Sequence, residues 1–90
     1  MKAIVVGAGE IGRHLAKVLA SEGRDTVLID QSEGVRQHVQ ESADIMTLQG
    51  SGTSSMLLKE AGISDADLFI AVTDSDKVNI IACAIANQNG

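Results

Sequence analysis

The fold is decided by residues 1–30, which read MKAIVVGAGEIGRHLAKVLASEGRDTVLID. The apolar run 3–6 ends at a glycine-rich segment, after which apolar residues recur at helical spacing over residues 11–19. A second apolar run, residues 26–29, ends at Asp30. This order of strand, glycine loop, helix, strand and acid is the pattern of a dinucleotide-binding fold.

The glycine loop has the spacing G-x-G-x-x-G, and each glycine in it has a physical role. Gly7 allows a tight turn, Gly9 leaves room for a pyrophosphate beside the main chain, and Gly12 lets the helix lie close to the strand. The helix directs its first unpaired N–H groups at that phosphate. An alternative interpretation is a glycine turn that packs well and binds nothing. The predicted loop contacts are Gly7, Ala8, Gly9, Glu10, Ile11 and Gly12.

Asp30 determines the predicted nucleotide preference. It follows Gly12 at close to the sequence distance typical of the acid that accepts hydrogen bonds from the adenosine ribose hydroxyls. A carboxylate at this position repels a 2′-phosphate, and neither Gln31 nor Ser32 offers a cation to bind one. NAD(H) or an adenine nucleotide is therefore predicted over NADP(H).

The composition limits the classes of function. Ninety residues with 44% hydrophobic content make one small domain, and a net charge of −5 without a basic stripe argues against a nucleic-acid partner. Phe69 is the only aromatic residue, so a base-stacking platform is not predicted. The apolar runs are too short for a signal peptide or membrane span, which predicts a soluble, cytoplasmic protein without membrane insertion. Cys83 stands alone in an apolar helix, where a small core residue is expected.

The remaining sequence continues the alternation of strands and helices. The predicted elements are a helix from Ser32 to about Glu41, a strand over 45–48, a helix capped by Thr53 and ended by Gly62, a turn over 63–65, a strand over 68–72 and a helix over 75–87. This order predicts an α/β fold, a Rossmann-like doubly wound parallel sheet in the order 3-2-1-4. Because strand 68–72 is uninterruptedly apolar, it should be covered on both faces. A complete domain of this type has two further strands, so residues 1–90 are expected to be its N-terminal part.

The predicted topology places the ligand crevice between the first and fourth strands, at their carboxyl ends. The glycine loop then faces Thr73 and Asp74 across the crevice, while Asp30, Gln31 and the turn Gly50, Ser51 and Gly52 lie on the adenosine side. Asp74 and Asp76 each have two interpretations, which are contact with a ribose or cation and capping of the last helix.

No catalytic or metal-binding set is predicted. His14 and His38 lack neighbours at ligand spacing and are interpreted as solvated helix residues. No histidine accompanies a nucleophile with an acid behind it. Arg13 follows the phosphate loop and is either a surface charge or a contact to a phosphate oxygen.

Several motifs resemble one known family. The segments are GAGEIG at 7–12, QGSG at 49–52, KEAG at 59–62 followed by Ala66-Asp67, and AVTDSD at 71–76 with Asn79. They resemble the N-terminal nucleotide-binding (RCK or KTN) domain of Trk potassium-uptake regulatory subunits, over essentially all ninety residues.

The resemblance implies a non-enzymatic regulatory domain. It implies a cytoplasmic protein, peripheral to the inner face of the membrane, that binds NAD(H) or ATP/ADP and gates a membrane potassium transporter as a homo-oligomer. The implied nucleotide contacts are residues 7–11, Asp30, Ser51, Thr73 and Asp74. The family's later strands, its ligand-capping Arg and its regulatory domain have no counterpart in these ninety residues.

Two other functions remain open at this point, namely the cofactor half of an NAD-dependent oxidoreductase and an interaction module with a vestigial site. The apolar last helix and fourth strand also predict self-association, anchored by Ile80 or Ile85.

Overall fold

A parallel four-stranded sheet carries the fold, with strand order β3-β2-β1-β4, as predicted. The computed structural model describes residues 1–32 and 45–89. The elements are β1 (Lys2–Val6), α1 (Glu10–Ser21), β2 (Asp25–Asp30), β3 (Met46–Gln49), α2 (Ser55–Glu60), a 3₁₀ turn (Ile63–Asp65), β4 (Leu68–Ala71) and α3 (Asp76–Asn89). The predicted helix from Ser32 to about Glu41 extends beyond the described residues, and His38 lies outside them.

The central strand β1 is covered on both faces, which explains its continuous apolar sequence. It pairs with β2 and β4, so that Val5 lies opposite Leu28 on one side and Ile70 on the other. Alternate residues of each strand point to opposite faces and build two core clusters. The first contains Ala3, Val5, Ala16, Leu19 and Leu28, and the second contains Ile4, Val6, Val27, Ile29, Leu58 and Ala86.

Strand β4 is less buried than its apolar sequence predicts. Leu68 and Ile70 pack against the first cluster, and Phe69 and Ala71 against the second. Each of the four residues is nevertheless only half-buried. The reason is that β4 pairs with β1 alone among the described strands, which leaves its other edge open.

Helix α2 begins one residue later than predicted. Ser54, not Thr53, is its N-cap, and the Ser54 hydroxyl accepts a hydrogen bond of 3.2 Å from the N–H of Leu57. The Thr53 hydroxyl instead lies 2.7 Å from the hydroxyl of Ser51. Gly62 has φ +90° and follows the helix in the left-handed conformation, as predicted.

Helix α3 buries a narrow stripe of small residues. Among the described side chains of α3, Ala82 and Ala86 are buried, whereas Cys83 is exposed, so the prediction of a core cysteine is wrong. Ile80 is 69% exposed, while Ile85 packs against the second core cluster. Of the two candidates for a contact between subunits, Ile80 is therefore the one that faces away from the sheet.

The exposed position of His14 agrees with its interpretation as a solvated residue. Within residues 1–32 and 45–89, no helix combines the length and the apolar character needed to cross a membrane.

Candidate functional site

A cleft of about 240 Å³ lies at the carboxyl ends of the four described strands. Residues at the end of each strand and just after it supply its walls. They are Val6, Gly7, Ala8 and Gly9 at the end of β1; Ile29, Asp30 and Gln31 at the end of β2; Gly50 and Gly52 after β3; and Val72, Thr73, Asp74, Ser75 and Val78 after β4. The convergence of distant segments at one edge of the sheet is the arrangement that the predicted strand order requires.

Most of the predicted site residues meet at this cleft. Those that line it are Gly7, Ala8, Gly9, Asp30, Gln31, Gly50, Gly52, Thr73 and Asp74. Four others lie beside it without lining it, namely Glu10, Ile11, Gly12 and Ser51. Ile11 is 66% exposed, Gly12 of α1 is buried against Gly7, and the Ser51 hydroxyl faces Thr53.

The three loop glycines meet different surroundings. Gly7 has φ +110°, and a Cβ there would lie 2.9 Å from the carbonyl carbon of Val72. A Cβ on Gly12 would overlap the carbonyl oxygen of Gly7, so α1 lies on β1 only because this side chain is absent. A Cβ on Gly9 would meet nothing within 4 Å. Gly7 and Gly12 therefore serve the packing of the fold, and Gly9 leaves space in the cleft.

The N-terminus of α1 lacks a side-chain cap. Its N-cap is Gly9, whereas Ser54 caps α2 and the Ser75 hydroxyl accepts a hydrogen bond of 3.2 Å from Val78 N at the start of α3. The first N–H groups of α1 consequently have no side-chain acceptor, and the helix dipole places partial positive charge at the same end. This is the arrangement that binds an anion such as a phosphate.

Asp30 holds the glycine loop in addition to lining the cleft. Its Oδ1 accepts a hydrogen bond of 3.1 Å from Ala8 N, and its Oδ2 accepts one of 2.8 Å from Ser32 N. The sequence placed Asp30 at the site but contained no signal for the bond to Ala8, which joins residues far apart in the chain.

Asn79 fixes the opposite wall of the cleft. Its side-chain Oδ1 accepts hydrogen bonds from Thr73 N at 2.9 Å and from the Thr73 hydroxyl at 2.6 Å. Its Nδ2 donates to the Thr73 carbonyl at 3.2 Å. One amide side chain therefore satisfies both main-chain groups of Thr73, a role that the sequence analysis did not predict for Asn79.

Ser75, rather than either neighbouring acid, caps α3. The bond from Val78 N to the Ser75 hydroxyl takes the place of the capping bond that was considered for Asp74 and Asp76. Asp76 lies in the first turn of α3, where its charge favours the helix dipole. Asp74 is exposed and lines the cleft.

Among the described residues, those lining the cleft include two acids, Asp30 and Asp74, and neither Lys nor Arg. Arg13, which was considered as a phosphate contact, does not line it, and among the described residues its buried Nε has no hydrogen-bond partner. In residues 1–32 and 45–89, no group of three or more His, Cys, Asp or Glu is arranged to hold a metal ion.

Sequence comparison connects the chain with potassium-uptake proteins. The family model described as the TrkA-N domain matches residues 3–90. The Trk system potassium uptake protein TrkA of Haemophilus influenzae is 46% identical over 83 residues, covering 92% of this chain and 18% of that protein. The protein of the same name from Halomonas elongata is 42% identical over 97% of this chain and 19% of its own length. The chain thus spans about a fifth of the length of these two relatives.

Solved structures share the fold at low sequence identity. The Kef CTD of Shewanella denitrificans in its AMP-bound form has a TM-score of 0.84 and 22% identity, and the match covers 98% of this chain and 52% of that one. The NAD(P)-binding domain of an exopolyphosphatase-related protein from Archaeoglobus fulgidus also has a TM-score of 0.84, at 14% identity, over 98% of this chain and 65% of that one. The family match confirms the resemblance, the shared fold is Rossmann-like, and the chain belongs to the TrkA-N domain family.

Proposed function

We propose that the cleft of this chain binds ATP/ADP or the adenosine half of NAD(H). The bound ligand then regulates a membrane potassium transporter. The observation that carries the proposal is the uncapped N-terminus of α1 beside a cleft built from four strand ends. The AMP-bound state of the Kef CTD and the name of the Archaeoglobus fulgidus domain support adenine nucleotides as the ligand class.

The proposed pose follows from the charges of the cleft. The phosphates lie at the start of α1 near Gly9, where main-chain N–H groups supply the donors. The ribose hydroxyls donate to Asp30, and the adenine lies toward Gly50 and Gly52. Because none of the described residues that line the cleft is Lys or Arg, no described cation lies in the cleft with Asp30 to receive a 2′-phosphate. NAD(H) should therefore bind more tightly than NADP(H).

The proposed role is regulatory rather than enzymatic. The relatives are named as proteins of potassium uptake, and the proposal assigns no residue to catalysis. A ligand that binds two conformations with different affinity shifts their populations, and an attached transporter responds to that shift. In this proposal the chain acts at the cytoplasmic face of the membrane as part of a homo-oligomer, as the N-terminal portion of the nucleotide-binding domain.

Calorimetric titration with NAD, NADH, ATP, ADP and NADPH tests the proposal. Saturable binding of at least one of the first four, with weaker binding of NADPH, is expected. Asp30→Ala should lower affinity for the favoured ligand about tenfold or more, since one charge-assisted hydrogen bond is lost. Absence of binding by all five ligands would contradict a nucleotide-binding role, and equal binding of NADPH and NADH would contradict the role of Asp30 in selectivity.

A further inference from the structure

We propose that Asp30 is a positioning residue for the phosphate-binding loop, separately from any contact with ribose. This inference rests on the proposed function, because it concerns how the same cleft is prepared for a phosphate. It predicts that Asp30 contributes to the binding of ligands that have no ribose hydroxyls.

The carboxylate of Asp30 is held in a fixed orientation. Its Oδ2 accepts the bond from Ser32 N, two residues further along the chain, at 2.8 Å. This is the local bond of an Asx turn, which an Asp side chain forms with the main chain that follows it. The second oxygen is thereby directed toward the glycine loop, where it accepts the bond from Ala8 N at 3.1 Å.

Two consecutive amides tether the start of the loop to strand β2. Gly7 N donates to the Ile29 carbonyl at 2.8 Å, and Ala8 N donates to Asp30. Gly9, which lines the cleft, and the uncapped first turn of α1 beside it follow directly. The bond to Asp30 is therefore the last tether before the groups that would receive a phosphate.

Burial makes this tether difficult to replace. Ala8 is 1% exposed, so its N–H has little access to water if the carboxylate is removed. A buried donor without an acceptor is unfavourable, and the loop can relieve it only by moving. A loop that moves no longer presents its amides in one geometry, and a phosphate must then order it on binding.

Asp30 has enough acceptor capacity for both roles. An ionised carboxylate offers about four lone-pair sites on its two oxygens. Ala8 N and Ser32 N occupy two of these in the ligand-free protein, which leaves two. A ribose has two vicinal hydroxyls, so ligand contact and loop positioning do not compete for the same acceptors.

A ligand without ribose hydroxyls separates the two roles. The affinities of ADP and of 2′,3′-dideoxy-ADP are measured for wild type, Asp30→Ala, Asp30→Asn and Asp25→Ala. Asp25 is the matched control, because it is an exposed acid at the other end of β2 and its removal changes the net charge equally. If Asp30 positions the loop, Asp30→Ala should bind dideoxy-ADP about tenfold more weakly than wild type does.

The conservative variant distinguishes positioning from charge. An Asn side chain has one acceptor oxygen, which can serve Ala8 N or Ser32 N but not both, so Asp30→Asn should recover part of the affinity for dideoxy-ADP, and Asp25→Ala should bind it as wild type does. A residue that acts only through ribose gives the opposite result. Asp30→Ala would then bind dideoxy-ADP equally or more tightly, because an acid near the phosphates has been removed, and this outcome would overturn the inference.

Amide hydrogen exchange tests the tether without ligand. Asp30→Ala should accelerate exchange at Ala8 about tenfold or more, while the neighbouring Gly7, bonded to the main-chain carbonyl of Ile29, keeps its wild-type rate. Unchanged exchange at Ala8 would overturn the inference even if both nucleotides bind. If wild type binds neither nucleotide, the proposed function fails. The exchange rate at Ala8 still shows whether Asp30 holds the loop. Asp30→Ser, whose side chain is too short to reach Ala8, takes the place of Asp30→Ala if that variant does not fold.

Discussion

A methyl group added at Gly12 should mainly lower stability, whereas one added at Gly9 should mainly weaken nucleotide binding. At Gly12 the new Cβ would overlap the carbonyl oxygen of Gly7 and lie 2.8 Å from its carbonyl carbon. These are main-chain atoms that cannot rotate away, so α1 must move outward from β1. Overpacking costs about 1–3 kcal/mol, and the overlap here favours the upper end of that range. The better helix propensity of alanine offsets about 1 kcal/mol.

The net effect expected for Gly12→Ala is a loss of about 2 kcal/mol in the free energy of unfolding. For a domain of this size, each kcal/mol corresponds to a shift of about 4–8 °C in the thermal midpoint. The midpoint of Gly12→Ala should consequently fall by about 8–16 °C. Nucleotide affinity, measured at a temperature where the variant is folded, should fall less than in Gly9→Ala, because Gly12 does not line the cleft.

Gly9→Ala should leave stability nearly unchanged. Nothing lies within 4 Å of the new Cβ, and the backbone angles of Gly9, φ −72° and ψ −169°, are accessible to alanine. Loss of glycine at an N-cap costs up to about 1 kcal/mol, and the reduced entropy of the unfolded chain offsets about 0.4–1 kcal/mol. The methyl group nevertheless occupies the space through which a phosphate reaches α1. ADP affinity should therefore fall about tenfold or more, equivalent to one charge-assisted hydrogen bond.

Thermal unfolding followed by circular dichroism, combined with ADP calorimetry, checks both variants against wild type. A Gly9→Ala variant that melts as low as Gly12→Ala would refute the assignment of separate roles. Wild-type ADP affinity in Gly9→Ala would show that the phosphate does not approach this glycine.

Three further predictions concern other parts of the structure. Asn79→Ala should lower the free energy of unfolding in urea by about 2–3 kcal/mol, because both main-chain groups of Thr73 lose their partner. A loss below about 0.5 kcal/mol would contradict this role of Asn79. Ser54→Ala should cost about 1 kcal/mol as the loss of a helix cap, and Thr53→Ala distinctly less, so equal losses would argue against Ser54 as the cap. Sedimentation equilibrium at about 100 µM, far above the dissociation constants of typical specific complexes, should show self-association that Ile80→Glu reduces; a monomeric wild type would exclude it.

The sequence predicted the strand order and the position of the cleft because those features depend on patterns local to each segment. The apolar runs identified the strands, and Gly7, Gly9 and Gly12 marked the turn into α1. When helices connect consecutive strands, few sheet topologies are possible. The element order therefore predicted which strand ends meet at the cleft.

Features that depend on three-dimensional proximity were not predictable. The bond from Ala8 N to Asp30 joins the glycine loop to the last residue of β2, and these meet only after β1 and β2 have paired. The exposure of Cys83 was missed because α3 is apolar on most of its surface, and hydrophobicity alone cannot select the side that packs on the sheet. The helix instead turns Ala82 and Ala86 toward the core, whereas Ala84 is exposed.

The uncapped start of α1 has an evolutionary consequence. A phosphate held by main-chain N–H groups depends on backbone geometry and not on the chemistry of any one side chain. Side chains such as Glu10 and Ile11, which are exposed and do not line the cleft, are then free to vary among descendants of this sequence while the proposed anion site persists. Selection would act instead on Gly7, Gly9 and Gly12, where a single nucleotide change that introduces a side chain alters the path of the chain or fills the cleft.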